Sequence, residues 1–505
     1  MRFRSIGWKM IPAAVLMAVL AVSSPAATCD SLVGLRLDNV TITAVESVGA
    51  GAFELAGGRG GPRMITDLPA FCRVTATLTP TTDSAIRMEL WMPSPDTWNR
   101  RYLAVGNGAF AGTIGTNAML DPLRRGYVTS STDTGHEGNQ GAFALNENLM
   151  VDFAYRAVHE MAETSKTLID AFYEAAPTYS YFNGCSTGGR QALTAAQRYP
   201  LDFDGIVGGA PAIYASHLQG AQVWMGRLGE IVPGGRLTAE SRVLLADAAV
   251  NACDLNDGVA DGVIGRPDMC RFDPLESNLI CGTGSSPAAC LTPAEATLAS
   301  RMYEGPKDAN GGTLFPGLAR GSERGWGGIL GPEPMALAAD VYRYFVYQDA
   351  DWDYRDFDAA TDIPYGEQVL GESLDAIDPD LSVFVGNGGK LLIYHGWADW
   401  GISPYNSVNY YQSVVDRMGP DVDSSVRLFM LPGVGHCSGG EGPDTWDSIS
   451  AIDAWVTDGD APDRIVASRI REGAPDRTRP LCAYPAQAVY DGTGSTDEAS
   501  NFVCQ

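Results

Sequence analysis

The chain has 505 residues and a formal net charge of −26, with 35 Lys and Arg set against 61 Asp and Glu. So acidic a surface repels nucleic acid and anionic membranes, which excludes polyanion binding as a function. The length is ample for a large core and for more than one domain.

The first element is an export signal over residues 1–26. Arg2, Arg4 and Lys9 precede an apolar run from Met10 to about Val22, and Ser24-Pro25-Ala26 supplies small residues for cleavage. That run, ~13 residues, is too short for a membrane span, which takes about 20. Cleavage near Ala26 or Ala27 removes three cations and leaves −26 − 3 = −29, with Lys166, Lys307 and Lys390 as the only lysines. A secreted, soluble protein is expected. Ten cysteines, an even number in an oxidising compartment, predict five disulfides. The lack of any C-x-x-C pair and the presence of only five histidines argue against a Cys/His metal site. Spacing leaves the connectivity open. Short loops, such as Cys253 to Cys270, Cys281 to Cys290 and Cys482 to Cys504, are merely the cheapest to close.

Next come turn-bounded strands. Arg101 to Val105 runs into Gly106-Asn107-Gly108, and Tyr127 to Ser130 runs into Thr132-Asp133-Thr134-Gly135. Asn148 to Ala171 has helical spacing, with Ala154, Val158, Met161 and Leu168 on one side. Ser180 to Asn183 is a short strand, Gly189 to Tyr199 a helix, and Phe203 to Gly208 a further strand. From 213 to 379 the rhythm gives way to Gly, Pro, Asp and Cys with short helices. It resumes at Lys390 to His395 and Val426 to Met430. Alternation of this kind predicts an α/β fold with a mostly parallel sheet. The core is read as 27–212 and 380–505, interrupted by an insertion at 213–379.

Gly184-Cys185-Ser186-Thr187-Gly188 matches the nucleophile-elbow pattern G-x-S-x-G, with a strand before it and a helix after it. Ser186 is therefore the candidate nucleophile. In this fold the partners follow in the order Ser, acid, His. His436 lies in a glycine-rich loop after a strand and is the candidate base; Asp399, just past the strand ending at His395, is the candidate acid. His395 itself reads as a structural residue donating to backbone. Ser186 and Asp399 are 213 residues apart, and two βαβ units of about 30 residues leave ~150 over. An insertion of that size at a strand's carboxyl end lies over the site as a lid. The oxyanion donors are expected to be the N–H of Thr187 and that of Gly108 or Ala109. If Cys185 and Cys437 pair, the bond forces serine and imidazole into one site.

Within the insertion, Cys253 to Val263 carries Asp254, Asp257 and Asp261 among glycines. That oxygen density suits Ca²⁺, with Val259 and Val263 carbonyls completing the ligands.

With these residues the chain resembles the tannase and feruloyl esterase family. The resemblance rests on Cys185-Ser186, Asp399 and His436-Cys437, on Thr132 to His136, on the acidic loop, on Gly321-Ser322-Glu323 with Trp326, and on the tail Arg477 to Cys482. It implies an α/β-hydrolase with a lid, a structural lid calcium, and hydrolysis of esters of aromatic, chiefly phenolic, acids, free or attached to plant polymer. It implies that Cys29 pairs with Cys72, Cys185 with Cys437, Cys253 with Cys270, Cys281 with Cys290 and Cys482 with Cys504. It also places Trp326 against the acid ring. The family also contains a mono(2-hydroxyethyl) terephthalate hydrolase, in which a lid arginine holds the substrate carboxylate. Here Asp340 takes that place, with Arg343 and Arg324 as the cations that can compensate. The competing readings are this terephthalate monoester activity, a non-catalytic aromatic-ester binding protein, and a redox-active pair of Cys185 and Cys437.

Overall fold

In the computed structural model, residues 1, 28–55, 62–282 and 290–505 are described. The export signal predicted for 1–26 lies outside them, save Met1. A nine-stranded sheet forms the frame: β1 (Val40–Val48), β2 (Phe71–Leu78), β3 (Ile86–Pro93), β4 (Arg101–Val105), β5 (Val128–Thr132), β6 (Tyr179–Cys185), β7 (Gly205–Gly209), β8 (Lys390–Gly396) and β9 (Val426–Leu431). Their spatial order is β1-β2-β3-β5-β4-β6-β7-β8-β9. The β1 to β3 segment and its joint to β5 are antiparallel; from β5 onward every neighbour is parallel.

Parallel strands bury both faces, and the strand sequences show why these do. Tyr102, Ala104, Phe182, Ile206, Leu391 and Ile393 point into one core. Their chain neighbours Leu103, Val105, Tyr181, Val207 and Leu392 point into a second core on the opposite face. The register aligns the carboxyl ends: Cys185 faces Gly209, Gly209 faces Tyr394, and His395 faces Met430. Loops leaving these ends meet along one edge, where open α/β sheets place their ligands.

The helix predicted from Asn148 to Ala171 is present in three parts, Glu147–Val151, a wider π turn at Asp152–Arg156, and Ala157–Tyr173. The π turn has a visible cause. The buried guanidinium of Arg190 donates to the carbonyls of Ala154 (2.7 Å) and Phe153 (3.3 Å), acceptors that a widened turn frees.

Between β7 and β8, which are sheet neighbours, the chain makes its long excursion. Among the described residues it contributes no strand to the sheet, and its helices include Ala215–Gly226, Ala239–Cys253, Pro293–Glu304 and Ala359–Leu374. At 12 to 16 residues these are longer than the short helices expected. Pro293–Glu304 starts on a capping box of Thr292 and Glu295. One insertion core joins Val341, Tyr342 and Phe345 to Phe110 and Phe153 of the main domain. A second gathers Leu245, Cys253, Leu298 and Trp326.

All ten cysteines are bonded, in the five pairs the resemblance implies. Cys29 bonds to Cys72, which fastens the N-terminal turn Cys29–Gly34 to β2. Cys185 bonds to Cys437 across the two halves of the core. Within the insertion, Cys253 bonds to Cys270 around the acidic loop, and Cys281 bonds to Cys290 nine residues on. Cys482 bonds to Cys504, which secures the end of the chain. No helix among the described residues is long and apolar enough to cross a membrane.

Candidate active site

Strand β6 delivers Ser186 at the tip of a turn that enters the helix Thr187–Arg198. Ser186 has φ 65° and ψ −118°, a strained conformation for a residue with a side chain. The turn is held by the Ser186 N–H donating to Gly209 O at 2.9 Å. Glycine is obligatory around it. A Cβ on Gly184 would sit 2.7 Å from the Gly188 backbone, and one on Gly189 would sit 2.3 Å from Gly209 O.

The three residues singled out from sequence converge. Ser186 Oγ is 2.9 Å from His436 Nε2, and His436 Nδ1 is 2.7 Å from Asp399 Oδ2. Asp399 is fully buried, and its Oδ1 accepts the N–H groups of Gly401 (2.8 Å) and Ile402 (3.0 Å). Burial opposes ionisation of Asp399, but bonds from His395 and His436 outweigh it and hold the carboxyl far below the usual range. Burial likewise opposes a charged His436, and the Asp399 hydrogen bond and charge override it, leaving its pKa above the ordinary value. The Cys185–Cys437 bond, with Cα atoms 6.0 Å apart, ties the residue before the serine to the residue after the histidine.

The glycine loop after β4 lies beside the elbow. Gly188 N donates to Asn107 O at 2.8 Å, and the Thr187 hydroxyl donates to Ala109 O at 2.6 Å. Thr187 opens its helix, so its own N–H is one the helix does not use. Ala109 is itself one of these anchors, and Gly108 lies between the two.

His436 opens onto a cavity of about 590 Å³ between the insertion and the core, also lined by Trp400, Arg324, Ile264 and Glu441. Trp326 does not reach it. Its indole is wholly buried, donating from Nε1 to Ser322 Oγ (2.9 Å) and packing on Tyr303, so the expectation that it stacks on substrate is corrected. Two other indoles line it, those of Trp397 and the less buried Trp400, the latter lying over Gly325 and Gly328 so closely that a Cβ on either would come within 2.3 Å of it. Sequence reasoning passed over Trp400, although it directly follows Asp399. Asp340 does not line the cavity; it accepts Gly141 N (3.2 Å) and Arg343 (3.0 Å), so Arg343 is engaged as well. Arg324 alone of the two cations lines the cavity, and it is ion-paired with Asp247.

The acidic loop lies apart from the triad. Asp257, Val259, Asp261 and Val263 line one cavity of about 50 Å³ at the joint with the C-terminal hairpin Arg464–Arg471/Ala474–Cys482. Burial, and then the charges of Asp261 and Asp254, push Asp257 up to about 6 despite its bond from Val259 N–H. Asp254 accepts the N–H groups of Asp261 (3.2 Å) and Gly262 (3.0 Å), and Asp261 is ion-paired with Arg479. Among the described residues no three His, Cys, Asp or Glu side chains converge as a ready-made metal cage. The cavity is also lined by Arg266, Arg477 and Arg479, so its hard-oxygen donors are shared with guanidinium groups, and a Ca²⁺ there would need Asp254, Asp257 and Asp261 together with the Val259 and Val263 carbonyls.

An elbow serine, a loop histidine and a buried aspartate at the carboxyl edge of this sheet define an α/β-hydrolase. More narrowly, the chain belongs to the tannase and feruloyl esterase family, whose model matches residues 72–505. It is 35% identical to an uncharacterized esterase of Xanthomonas campestris, over 97% of this chain and 93% of that one. It is 32% identical to a probable feruloyl esterase B-1 of Aspergillus oryzae, over 95% and 94%. The crystal structure of feruloyl esterase B from Aspergillus oryzae superposes with a TM-score of 0.88 at 31% identity, covering 94% of this chain and 99% of that one. The chain is a carboxylic ester hydrolase.

Proposed function

We propose that this protein is a secreted serine esterase that cleaves esters of aromatic, chiefly phenolic, acids through an acyl-enzyme. The observation that carries it is the unbroken chain Ser186–His436–Asp399, at 2.9 and 2.7 Å, whose histidine lines a cavity with an indole on its wall. Ser186 Oγ attacks the ester carbonyl while His436 Nε2 takes its proton. The oxyanion is held by the N–H groups of Thr187 and of Gly108 or Ala109. As the intermediate collapses, His436 returns the proton to the departing alcohol, leaving the acid on Ser186. Water, deprotonated by His436, then releases the acid and restores the serine. Asp399 keeps the His436 tautomer with Nδ1 protonated and balances the imidazolium charge. Trp400 supplies the aromatic contact, and the insertion acts as the lid. The acidic loop is proposed to bind a structural Ca²⁺ that plays no part in the chemical steps. Five disulfides accord with an exported protein.

Methyl ferulate, methyl caffeate, methyl gallate, chlorogenate and a terephthalate monoester form the test panel. The parent protein is expected to hydrolyse phenolic esters and Ser186→Ala to lose ~10⁴-fold or more in kcat. A fluorophosphonate is expected to label Ser186. An unlabelled, inactive parent would support a binding protein instead. Preference for the terephthalate monoester would favour the second reading, in which Arg324 on the cavity wall meets the free carboxylate.

A further inference from the structure

The carboxylate of Asp399 serves two imidazoles. His395, the penultimate residue of β8, places Nε2 3.0 Å from Asp399 Oδ2, the same oxygen that receives His436 Nδ1. His395 Nε2 is also 3.2 Å from Ile402 O, the backbone contact the sequence suggested. Its Nδ1 lies 2.7 Å from Ser407 Oγ, on the following helix Tyr405–Met418. His395, Asp399 and Ser407 are all fully buried.

The hydrogen-bond inventory settles the proton positions. Around Nε2 stand an ionised carboxylate and a carbonyl, both acceptors only, so Nε2 carries the hydrogen. The Ser407 hydroxyl has no other partner among the described residues, so it donates to Nδ1. His395 is then the neutral Nε2–H tautomer. With His395, His436, Gly401 and Ile402 as donors, the two Asp399 oxygens accept four hydrogen bonds.

We infer that His395 is a positioning residue for the reaction: locked by Ser407, it fixes the Asp399 carboxylate in the plane that His436 needs and draws off part of its basicity. The inference rests on the triad reading above. A neutral donor is required here. A cationic His395 would compete with the His436 imidazolium for the single negative charge of Asp399, whereas a neutral one orients that charge without cancelling it. The other charged groups facing His436 are Arg320, Arg324 and Glu441 along the cavity wall.

The test compares His395→Leu, His395→Gln and Ser407→Ala with the parent and Ser186→Ala on one phenolic methyl ester. Leucine removes the donor; the glutamine amide restores an N–H near the Nε2 position. His395→Leu is expected to lower kcat on the order of 10²-fold, since small misplacements in a reacting constellation cost this much, with KM nearly unchanged. Freed of one donor, Asp399 becomes a stronger base, so the acid limb of kcat/KM is expected to move to higher pH in His395→Leu. His395→Gln is expected to recover most of the rate and to return the limb to its place. Should His395→Leu fail to fold, Ser407→Ala, which keeps the imidazole and removes its lock, is expected to lower kcat with KM held. Parental kcat in folded His395→Leu or in Ser407→Ala overturns the inference, as does a glutamine variant no better than leucine. Equal rates for the parent and Ser186→Ala would instead overturn the triad reading beneath it.

Discussion

His436 is pulled in two directions, by burial toward neutrality and by Asp399 toward charge, and the aspartate wins. As base it must be neutral, so kcat/KM is expected to rise with pH through a midpoint above the ordinary 6.5 of a histidine; a limb below that value counts against the assignment. For stability the sign is reversed. A raised histidine contributes below its unfolded pKa and loses that contribution as pH climbs through the folded one, whereas the depressed Asp399 contributes above its unfolded pKa and loses it in acid. At this scale the triad was legible because each member sits beside a distinctive marker: a glycine elbow, a strand end, a cysteine. Trp326 was misplaced because its substrate role was carried over from the family resemblance, while its burial is decided by partners such as Tyr303 that the resemblance does not weigh. The second role of His395 was hidden for the same reason, since only folding shows that His395 and His436, far apart in the chain, meet one oxygen of Asp399.

Among the elements, the acidic loop joins the insertion to the C-terminal hairpin through Asp261 and Arg479. Asp257, pushed up to about 6, destabilises the loop progressively as pH rises above its unfolded value, and the Ca²⁺ proposed for the loop would reverse that penalty. Chelator treatment at pH 7.5 is therefore expected to lower Tm, Ca²⁺ to restore it, and the difference to shrink near pH 5; a Tm indifferent to both at pH 7.5 would show that the loop closes on Arg479 alone. The strands from β4 onward were visible as apolar runs ending in glycine turns. The antiparallel β1 was not, because its outer-edge position leaves every one of its residues exposed or half-buried and blurs the pattern. The single helix read at 148–171 was correct in place, but its π turn depends on Arg190, which sits on another helix. The calcium ligands were chosen from acidic spacing, which carries no sign that an arginine more than 200 residues away claims Asp261.

For the molecule as a whole, the nine-stranded sheet sets the edge and the insertion is the lid proposed to cover it, with Cys185–Cys437 linking the two core halves across a separation of 252 residues. In the chain-entropy model a loop that long contributes about 5 kcal/mol. Its position predicts more. A Cys185→Ala, Cys437→Ala double variant, assayed where it remains folded, is expected to lose turnover well beyond its loss of stability, measured by urea unfolding beside initial rates. Near-parental turnover would reduce the bond to a staple. The architecture was legible because the size of the gap between Ser186 and Asp399 announced an insertion. Where the insertion packs was not legible, since its contacts with Phe110 and Phe153 belong to side chains far away in sequence.

That same sulfur bridge alters what a protease can accomplish. The excursion between Gly209 and Lys390 is wholly contained within the ring the bridge closes. A single backbone cut there yields two polypeptides but still one covalent molecule, joined next to its nucleophile and its base. Nicking the insertion therefore leaves the reacting pair tethered.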